Sequence, residues 1–411
     1  MCDTMYAGPG SCRGGRSWFG KNSDRRPDEP QAVIIQGRRG AGSTLSFAGS
    51  EYSQVDDGLA YVLSRPSWMA GGEMGVNEAG VAIGNEAVFS RLHARKDGVL
   101  GMDMLRAALA SAADAKTAVD LICAATEAMD QGGRGSYHGG PSYSNSYLIA
   151  DPRSAYVVET AGRRWAWKPA SELAAISNAY SIEEDYKRLD AQTRKEISPV
   201  NERAACSDEA DAGRKGSKES WRAHVEERWP WGILKGDYRR AFVLSSLQGM
   251  RGSIDRSGFL GLLGSHAHRN PARLSGSRMK AVCLHGGGIV NAATTASMAV
   301  EYLGEDGRGG NAALIWFTGT PFPCLSVYKP ILLREDGFVP LWNGYDHSPN
   351  PTRDYAHWER HCAWARAKGR FALSLDPGFV ERREALQTRI GEAAEEALRG
   401  RIEHARAEVD A

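Results

Sequence analysis

The chain has 411 residues, of which 42% are hydrophobic and 25% charged, and its formal net charge is +1 at neutral pH. That length and apolar content suit a globular protein with a sizeable buried core. A net charge so close to zero excludes partners held by bulk charge, whether nucleic acid or membrane surface, and no run of about 18 apolar residues marks a membrane span.

Residues 2–7 and 16–20 read as two strands of a hairpin, separated by Gly8-Pro9-Gly10 and Gly14-Gly15. The second strand is expected to end at Gly20, which leaves Lys21 to Arg25 at a strand end or turn. Strands follow at Gln31 to Gln36 and at Tyr61 to Ser64. Gly71 to Glu86 reads as a hairpin turning at Asn77-Glu78-Ala79-Gly80, with Asn85 at the far end of its second strand. Asn77 reads as a turn residue; an amide inside a strand, as at Asn85, is less usual. Gly101 to Met129 is alanine-rich with helical spacing and predicts two helices, the second starting near Asp114 or Thr117. Cys123 falls on the apolar face of that second helix.

After a glycine-rich loop, Ser144 to Asp151, Ala155 to Glu159 and Trp165 to Lys168 predict an antiparallel meander. Ala174 to Asn178 is a further strand ending in an amide. Residues 183–220 turn polar and charged, and the stretch 195–220 reads as an insert. Helical spacing returns towards Arg240 to Leu247 and again over Gly258 to His268. Strands are expected at Met279 to Leu284, Thr294 to Tyr302, Ala312 to Thr318 and Val327 to Leu333. From Thr352 onward the chain is helical and amphipathic, over Tyr355 to Ala367 and Glu381 to Val409. The expected division is one domain over residues 1–350 and a helical extension over 351–411 packed on it. Strands, then helices, then strands predict an α+β protein with mostly antiparallel sheets.

The seven cysteines are odd in number, scattered, and contain no CxxC pair, which fits a reducing compartment better than a disulfide framework. No signal-peptide pattern opens the chain, and a cytoplasmic location is expected. His266, His268 and His285 lack acidic or cysteine ligands at a recognisable spacing, so they read as loop histidines, and Cys324 reads as structural. No metal and no cofactor is expected. There is no phosphate loop and no GxSxG elbow.

Cys2 stands directly behind Met1. Cysteine is small enough for methionine aminopeptidase to remove Met1, and Cys2 would then carry both a thiol and a free α-amine. Their reference pKa values, about 8.5 and about 7.7–8.0, make proton transfer between them nearly balanced at neutral pH. Lys21, Asp24, Asn85 and Asn178 complete a coherent set, since a terminal cysteine needs a nearby charge balance and donors for a developing oxyanion.

The stretch Phe19 to Arg25 (FGKNSDR), Ser64-Arg65-Pro66-x-Trp68, EMGVNEAGVAIGNEA from Glu73 to Ala87, LGMDMLR from Leu100 to Arg106, Tyr147 to Lys168, and WFTGTPFPCLSVYKP from Trp316 to Pro330 resemble, in order, the secernin family and its bacterial cysteine dipeptidase relatives. The resemblance implies an N-terminal-nucleophile (Ntn) hydrolase: a four-layer αββα sandwich with its nucleophile opening a central strand. It implies that Cys2 forms an acyl-enzyme after loss of Met1 and that Asp24 balances the α-ammonium. Lys21, standing where related amidases carry arginine, is expected to favour the thiolate, and Asn85 and Asn178 to hold the oxyanion. Arg25 is a candidate for binding a substrate carboxylate. The expected partner is a small peptide or amide, most simply a dipeptide; self-association is left open. Two other classes share these residues: an acyl-amide amidase or acyltransferase using the same site, and a non-catalytic secernin-like protein of secretion or protein contacts.

Overall fold

The computed structural model describes residues 1–40, 44–47, 50–53, 58–197, 219–266, 278–286, 291–304, 312–344 and 356–411. In chain order the strands begin with β1 (Cys2–Ala7), β2 (Ser17–Arg25), β3 (Gln31–Gln36), β4 (Thr44–Phe47), β5 (Ser50–Ser53), β6 (Tyr61–Pro66), β7 (Met74–Asn77) and β8 (Ala82–Val88). Helices α1 (Gly101–Ser111) and α2 (Ala115–Ala128) follow. Next come β9 (Ser144–Ala150), β10 (Ala155–Ala161), β11 (Arg164–Pro169), β12 (Leu173–Ser177) and β13 (Arg188–Leu189). Four helices stand before the last strands: α3 (Ala191–Ile197), α4 (Trp221–Val225), α5 (Gly236–Gly249) and α6 (Arg256–Leu263). The chain then runs through β14 (Ala293–Tyr302), β15 (Ala313–Phe317), β16 (Lys329–Arg334) and β17 (Gly337–Pro340). It ends in α7 (Ala356–Ala367), α8 (Arg370–Ser374), α9 (Pro377–Leu398) and α10 (Ile402–Asp410).

Two antiparallel sheets form the body, a seven-stranded one ordered β12-β1-β2-β14-β15-β16-β17 and an eight-stranded one ordered β13-β11-β10-β9-β8-β7-β6-β3. They face each other across a core that includes Tyr6, Phe19, Val62, Val76, Leu148, Met298 and Ile315. The outer face of the seven-stranded sheet packs on α5, α6, α9 and α10 through Met5, Trp18, Trp316, Phe259, Leu247 and Ile390. The outer face of the eight-stranded sheet packs on α1 and α2 through Ile83, Tyr147, Leu105 and Ile122. The result is a four-layer αββα sandwich, as expected.

The period of two explains the layering of β1 and β2. Cys2, Thr4 and Tyr6 on β1, with Phe19, Lys21 and Ser23 on β2, turn towards the opposite sheet, where Tyr6 and Phe19 join the inter-sheet core. Asp3, Met5 and Ala7, with Trp18, Gly20 and Asn22, turn towards the helices: Met5, Ala7 and Trp18 belong to that outer core. Gly20 serves this packing directly, since a Cβ there would stand 2.6 Å from the ring of Phe259 on α6.

Several expectations are corrected by tertiary pairing. Gly20 does not end β2. The strand continues to Arg25 because β14 pairs along it, Asp24 opposite Thr294 and Arg25 opposite Ala293. Residues 279–284 do not form a strand; they pass from a 3₁₀ turn at Arg278–Lys280 into bends, with one bridge between His285 and Ala293. The last amphipathic stretch is two helices, broken at Gly400, whose φ is +89°. Asp114 caps α2 by accepting from Thr117 N. Most of the polar insert lies outside the described residues, as does His268.

Candidate active site

Cys2 opens β1 and is buried, paired with Ser23 of β2. Its backbone nitrogen donates to Asn178 Oδ1 at 2.8 Å, and the nitrogen of Met1 donates to Asp24 O at 3.0 Å. The thiol lies 3.4 Å from Glu73 Oε2, which also accepts from the Ser23 hydroxyl. Glu73 in turn is ion-paired with Arg25. Deeper between the sheets, Lys21 Nζ stands 3.5 Å from Glu86 Oε1, and Glu86 also accepts from Thr4 Oγ1.

The electrostatics hold the thiol neutral while Met1 is in place. Burial, reinforced by the charge of Glu73, pushes the Cys2 thiol up to about 12, against the opposing pull of Lys21. Glu73 is ionised: burial works against its charge, but Arg25, Lys21 and the Ser23 hydroxyl bring it down to about 2. A carboxylate that weak in basicity cannot take a proton from so weakly acidic a thiol; it accepts the S–H instead. Burial also opposes the charge of Lys21, yet Cys2, ionised in the alkaline range where Lys21 loses its proton, and the carboxylates Glu86, Glu73 and Asp24 outweigh it and raise its pKa.

On the helix-facing side a second buried network fixes the strand end. Arg239 of α5 donates through Nε to Asp3 Oδ2 at 2.9 Å, and through Nη2 to Ser177 Oγ at 3.0 Å and Asn178 Oδ1 at 2.8 Å. Asn178 Nδ2 donates to Ala87 O at 2.8 Å. These partners fix the amide: Arg239 requires oxygen on one side and Ala87 requires nitrogen on the other. Asn178 is therefore an acceptor for the Cys2 nitrogen and orients it, while its Nδ2 donates one hydrogen to Ala87 O.

The other expected residues are distributed less simply. Asn85 sits in β8 on the face turned to α1, where its Nδ2 donates to Asn145 Oδ1 at 3.0 Å and to the Met102 sulfur at 3.4 Å; its backbone nitrogen donates to Glu73 O at 3.2 Å. Arg25 is buried and holds Glu29 through Nε at 2.8 Å, Glu73 through Nη1 and Gly135 O through Nη2. Each nitrogen of its guanidinium thus already has a protein partner. Sequence reasoning missed Glu73 and Arg239. For Arg239 a signal exists: Val243 and Leu247 follow at i+4 and i+8, which places the arginine on the buried stripe of α5. Glu73 offers no such signal, because its partners come from other strands.

Asp24 and Glu86 both have carboxyls raised to about 7, chiefly by burial. Asp24 Oδ1 accepts from Thr294 Oγ1 at 2.6 Å, while Oδ2 is buried with no hydrogen-bond partner among the described residues. Burial pushes the carboxyl up to about 7, with the N-terminal ammonium pulling the other way. An unfolded aspartate titrates at about 3.9. Between those values the folded chain holds a proton that the unfolded chain has lost, so Asp24 costs the fold stability as pH rises through that window. Asp24→Asn keeps an acceptor for Thr294 and removes the charge. Urea unfolding is expected to show the variant close to the parent near pH 4 and more stable at pH 8, by on the order of 1–4 kcal/mol. The same gap at both pH values would contradict this assignment.

Beside Asn178 opens a cavity of about 280 Å³, lined among others by Phe89, Arg228, Trp231, Lys235 and Tyr238. Trp231 stacks on Phe89 with ring centroids 3.7 Å apart, forming one wall. A cavity of that size admits a small molecule and not a folded partner.

The geometry thus gives an αββα sandwich with a cysteine opening one of its central strands, the backbone nitrogen and thiol of that cysteine each held by buried polar groups. No protein-family model matches the chain. Among solved structures it is similar to two variants of the conjugated bile acid hydrolase from Clostridium perfringens, at 13% and 14% identity with TM-scores of 0.40 and 0.44, each over 77% of this chain and 88% of the hydrolase. It is also similar to the Caenorhabditis elegans ortholog of N-acylethanolamine-hydrolyzing acid amidase, at 11% identity and a TM-score of 0.36, over 72% of this chain and 91% of that one. Likeness at this level decides nothing about the reaction. Among the described residues no helix is long and apolar enough to cross a membrane.

Proposed function

We propose that the protein is a cysteine Ntn-hydrolase of the secernin and cysteine dipeptidase kind, which cleaves a small amide, a dipeptide in the first instance, through an acyl-enzyme on Cys2 after Met1 is removed. The observation that carries this reading is the seating of the Cys2 nitrogen, 2.8 Å from Asn178 Oδ1 in a network locked by Arg239. A nitrogen held this way is ready to serve as an amine once the peptide bond to Met1 is gone. The unpartnered Oδ2 of Asp24 supports the same reading, since a buried carboxylate oxygen next to the terminus suits an α-ammonium.

In the proposed reaction the Cys2 α-amine takes the thiol proton, directly or through a water, and so supplies the base that Glu73 cannot be. Its reference pKa of about 7.7–8.0 makes it far better suited to that task than a carboxylate at about 2. Lys21 lowers the cost of the thiolate by its charge. The thiolate attacks the amide carbonyl. Main-chain N–H groups hold the oxyanion together with Asn85, whose second amide hydrogen has only a thioether sulfur as partner and is cheap to redirect. The ammonium then protonates the leaving amine, and water releases the acyl group. Arg228 and Lys235, which line the cavity beside Asn178, take over the substrate-carboxylate role once given to Arg25. The buried free cysteines suit a reducing, cytoplasmic setting.

The test is a hydrolysis panel of dipeptides and acyl-amides, run with and without an amine acceptor, on protein whose N-terminus has been read by intact mass. Active protein is expected to begin at Cys2 and to prefer free dipeptides over acyl-amides. Full activity in protein that retains Met1 would sink the amine-base mechanism, and a preference for acyl-amides or for transfer to the acceptor would replace the dipeptidase reading with the amidase or acyltransferase one.

A further inference from the structure

Behind Asp24, four side chains with metal-binding chemistry converge from three separated stretches of sequence. They are His266, just beyond α6; Cys283 and His285, in the bends before β14; and Cys324, in the turn between β15 and β16. One ligand atom from each lies within 4.8 Å of all the others. His285 Nε2 stands 2.9 Å from His266 Nε2, 3.0 Å from Cys324 Sγ and 3.6 Å from Cys283 Sγ. Cys283, His285 and Cys324 are buried and His266 is partly so.

Hydrogen bonding does not account for this convergence. A ring nitrogen carries either one proton or one lone pair, and here a single Nε2 faces another imidazole nitrogen and two sulfurs. A catalytic pair would need one thiol and one imidazole; this cluster has two of each, without an opening of its own in any described cavity. A cation at the centre satisfies all four atoms through their lone pairs. Zinc with Zn–N of about 2.0–2.1 Å and Zn–S of about 2.3 Å in tetrahedral geometry separates its ligands by about 3.4 Å (N to N), about 3.6 Å (N to S) and about 3.8 Å (S to S). The His285–Cys283 contact of 3.6 Å matches, those of His285 to His266 and Cys324 are about 0.5 Å shorter, and the rest lie within 4.8 Å, so small side-chain rotations bring the four atoms to tetrahedral spacing.

We propose that His266, Cys283, His285 and Cys324 bind one zinc ion as a closed structural site. Binding converts the two thiols to thiolates and releases two protons, so Zn²⁺ and the two sulfurs form a neutral buried unit. Four protein ligands leave no coordination position for substrate, which separates this site from the chemistry at Cys2. What the ion fastens is a stretch poor in ladder bonds. Cys283 N reaches Ser265 O at 2.9 Å, and Leu284 N reaches Thr294 Oγ1 at 2.8 Å, the same hydroxyl that donates to Asp24. Val282 O accepts from Asn22 Nδ2 at 3.0 Å. Zinc would thus pin the segment that seats Asn22 and Asp24 on β2. The expectation of loop histidines and a merely structural Cys324 lacked the fourth ligand, Cys283, which only the fold brings to them.

The experiment is elemental analysis of the full-length chain, purified in reductant without added metal, beside Cys283→Ser, Cys324→Ser and Cys2→Ala. The parent and Cys2→Ala are expected to hold about one zinc per chain, and the other two about none, with a thermal midpoint several degrees lower. Should those two variants fail to fold, cobalt titrated into the zinc-stripped parent answers the question: thiolate-to-cobalt charge-transfer bands and the intense d–d bands of a tetrahedral ion are expected. Parent protein that neither contains zinc nor retains it after titration with zinc chloride would overturn the proposal. So would full zinc content in both serine variants, or a Cys283–Cys324 disulfide in reduced preparations.

Discussion

Cys2→Ala is expected to lower amide hydrolysis to background, a loss on the order of 10⁶ in kcat if the thiol carries the reaction as nucleophiles do elsewhere. The fold should survive, because alanine fills most of the space of a small buried thiol and Glu73 keeps Ser23 and Arg25 as partners. Cys2→Ser should keep a trace of activity, its hydroxyl being a poorer nucleophile beside the same amine. The measurement is steady-state hydrolysis of the best dipeptide from the panel, with circular dichroism to confirm folding. Undiminished turnover by folded Cys2→Ala would remove Cys2 from the reaction and with it the proposed function. Retained zinc in that same variant keeps the metal proposal separate from this outcome.

Arg239→Met should be the most destabilising single change near the site, by about 3–5 kcal/mol. Arg239 is fully buried, and its loss leaves the equally buried Asp3 carboxylate with only the Ser177 hydroxyl, at 2.6 Å, as partner. Burial already raises the Asp3 pKa, with Arg239 opposing that rise. Without the arginine the carboxyl keeps its proton further into the neutral range than the unfolded chain, whose aspartate titrates at about 3.9. Stability is then lost as pH rises above that value, so the deficit of the variant should shrink as pH falls from 7 towards 4. Adding Asp3→Asn should restore part of the loss, because the uncompensated charge is gone. Guanidinium unfolding of the single and double variants at two pH values checks both statements. A deficit unchanged by pH and by the second substitution would mean that Arg239 acts through packing rather than charge. Hydrolysis should fall as well, since Asn178 loses the donor that fixes its amide.

The two substitutions separate what was legible in the residues from what was not. That Cys2, Asp24 and Lys21 lie near one another was legible because it depends on short range: a thiol behind Met1, and charges a fixed number of positions along the next strand. The alternation of β1 and β2 sorts them further, Lys21 beside the inter-sheet face and Asp24 on the side of Thr294. For Asn178 the residues gave the amide but not its orientation. Which end of an amide faces the nucleophile is set by Arg239 and by Ala87 O, neither of which lies near it in sequence. The partners of Arg25 were hidden for a similar reason: Glu29 lies four residues on, but Glu73 and Gly135 arrive from elsewhere in the chain.

By itself the sequence determined the local facts: which stretches alternate as strands, which carry helical stripes, and that an α+β body with mostly antiparallel sheets would result. Apolar periodicity is a near-neighbour property and survives without the fold. Only the tertiary structure decided the length of β2, the acceptor role of Asn178, the commitment of Arg25, the neutral thiol held beside Glu73, and the meeting of His266, Cys283, His285 and Cys324. Each of these is a contact between segments distant in the chain. Such contacts are chosen by the packing of whole layers, and no spacing along the sequence encodes them.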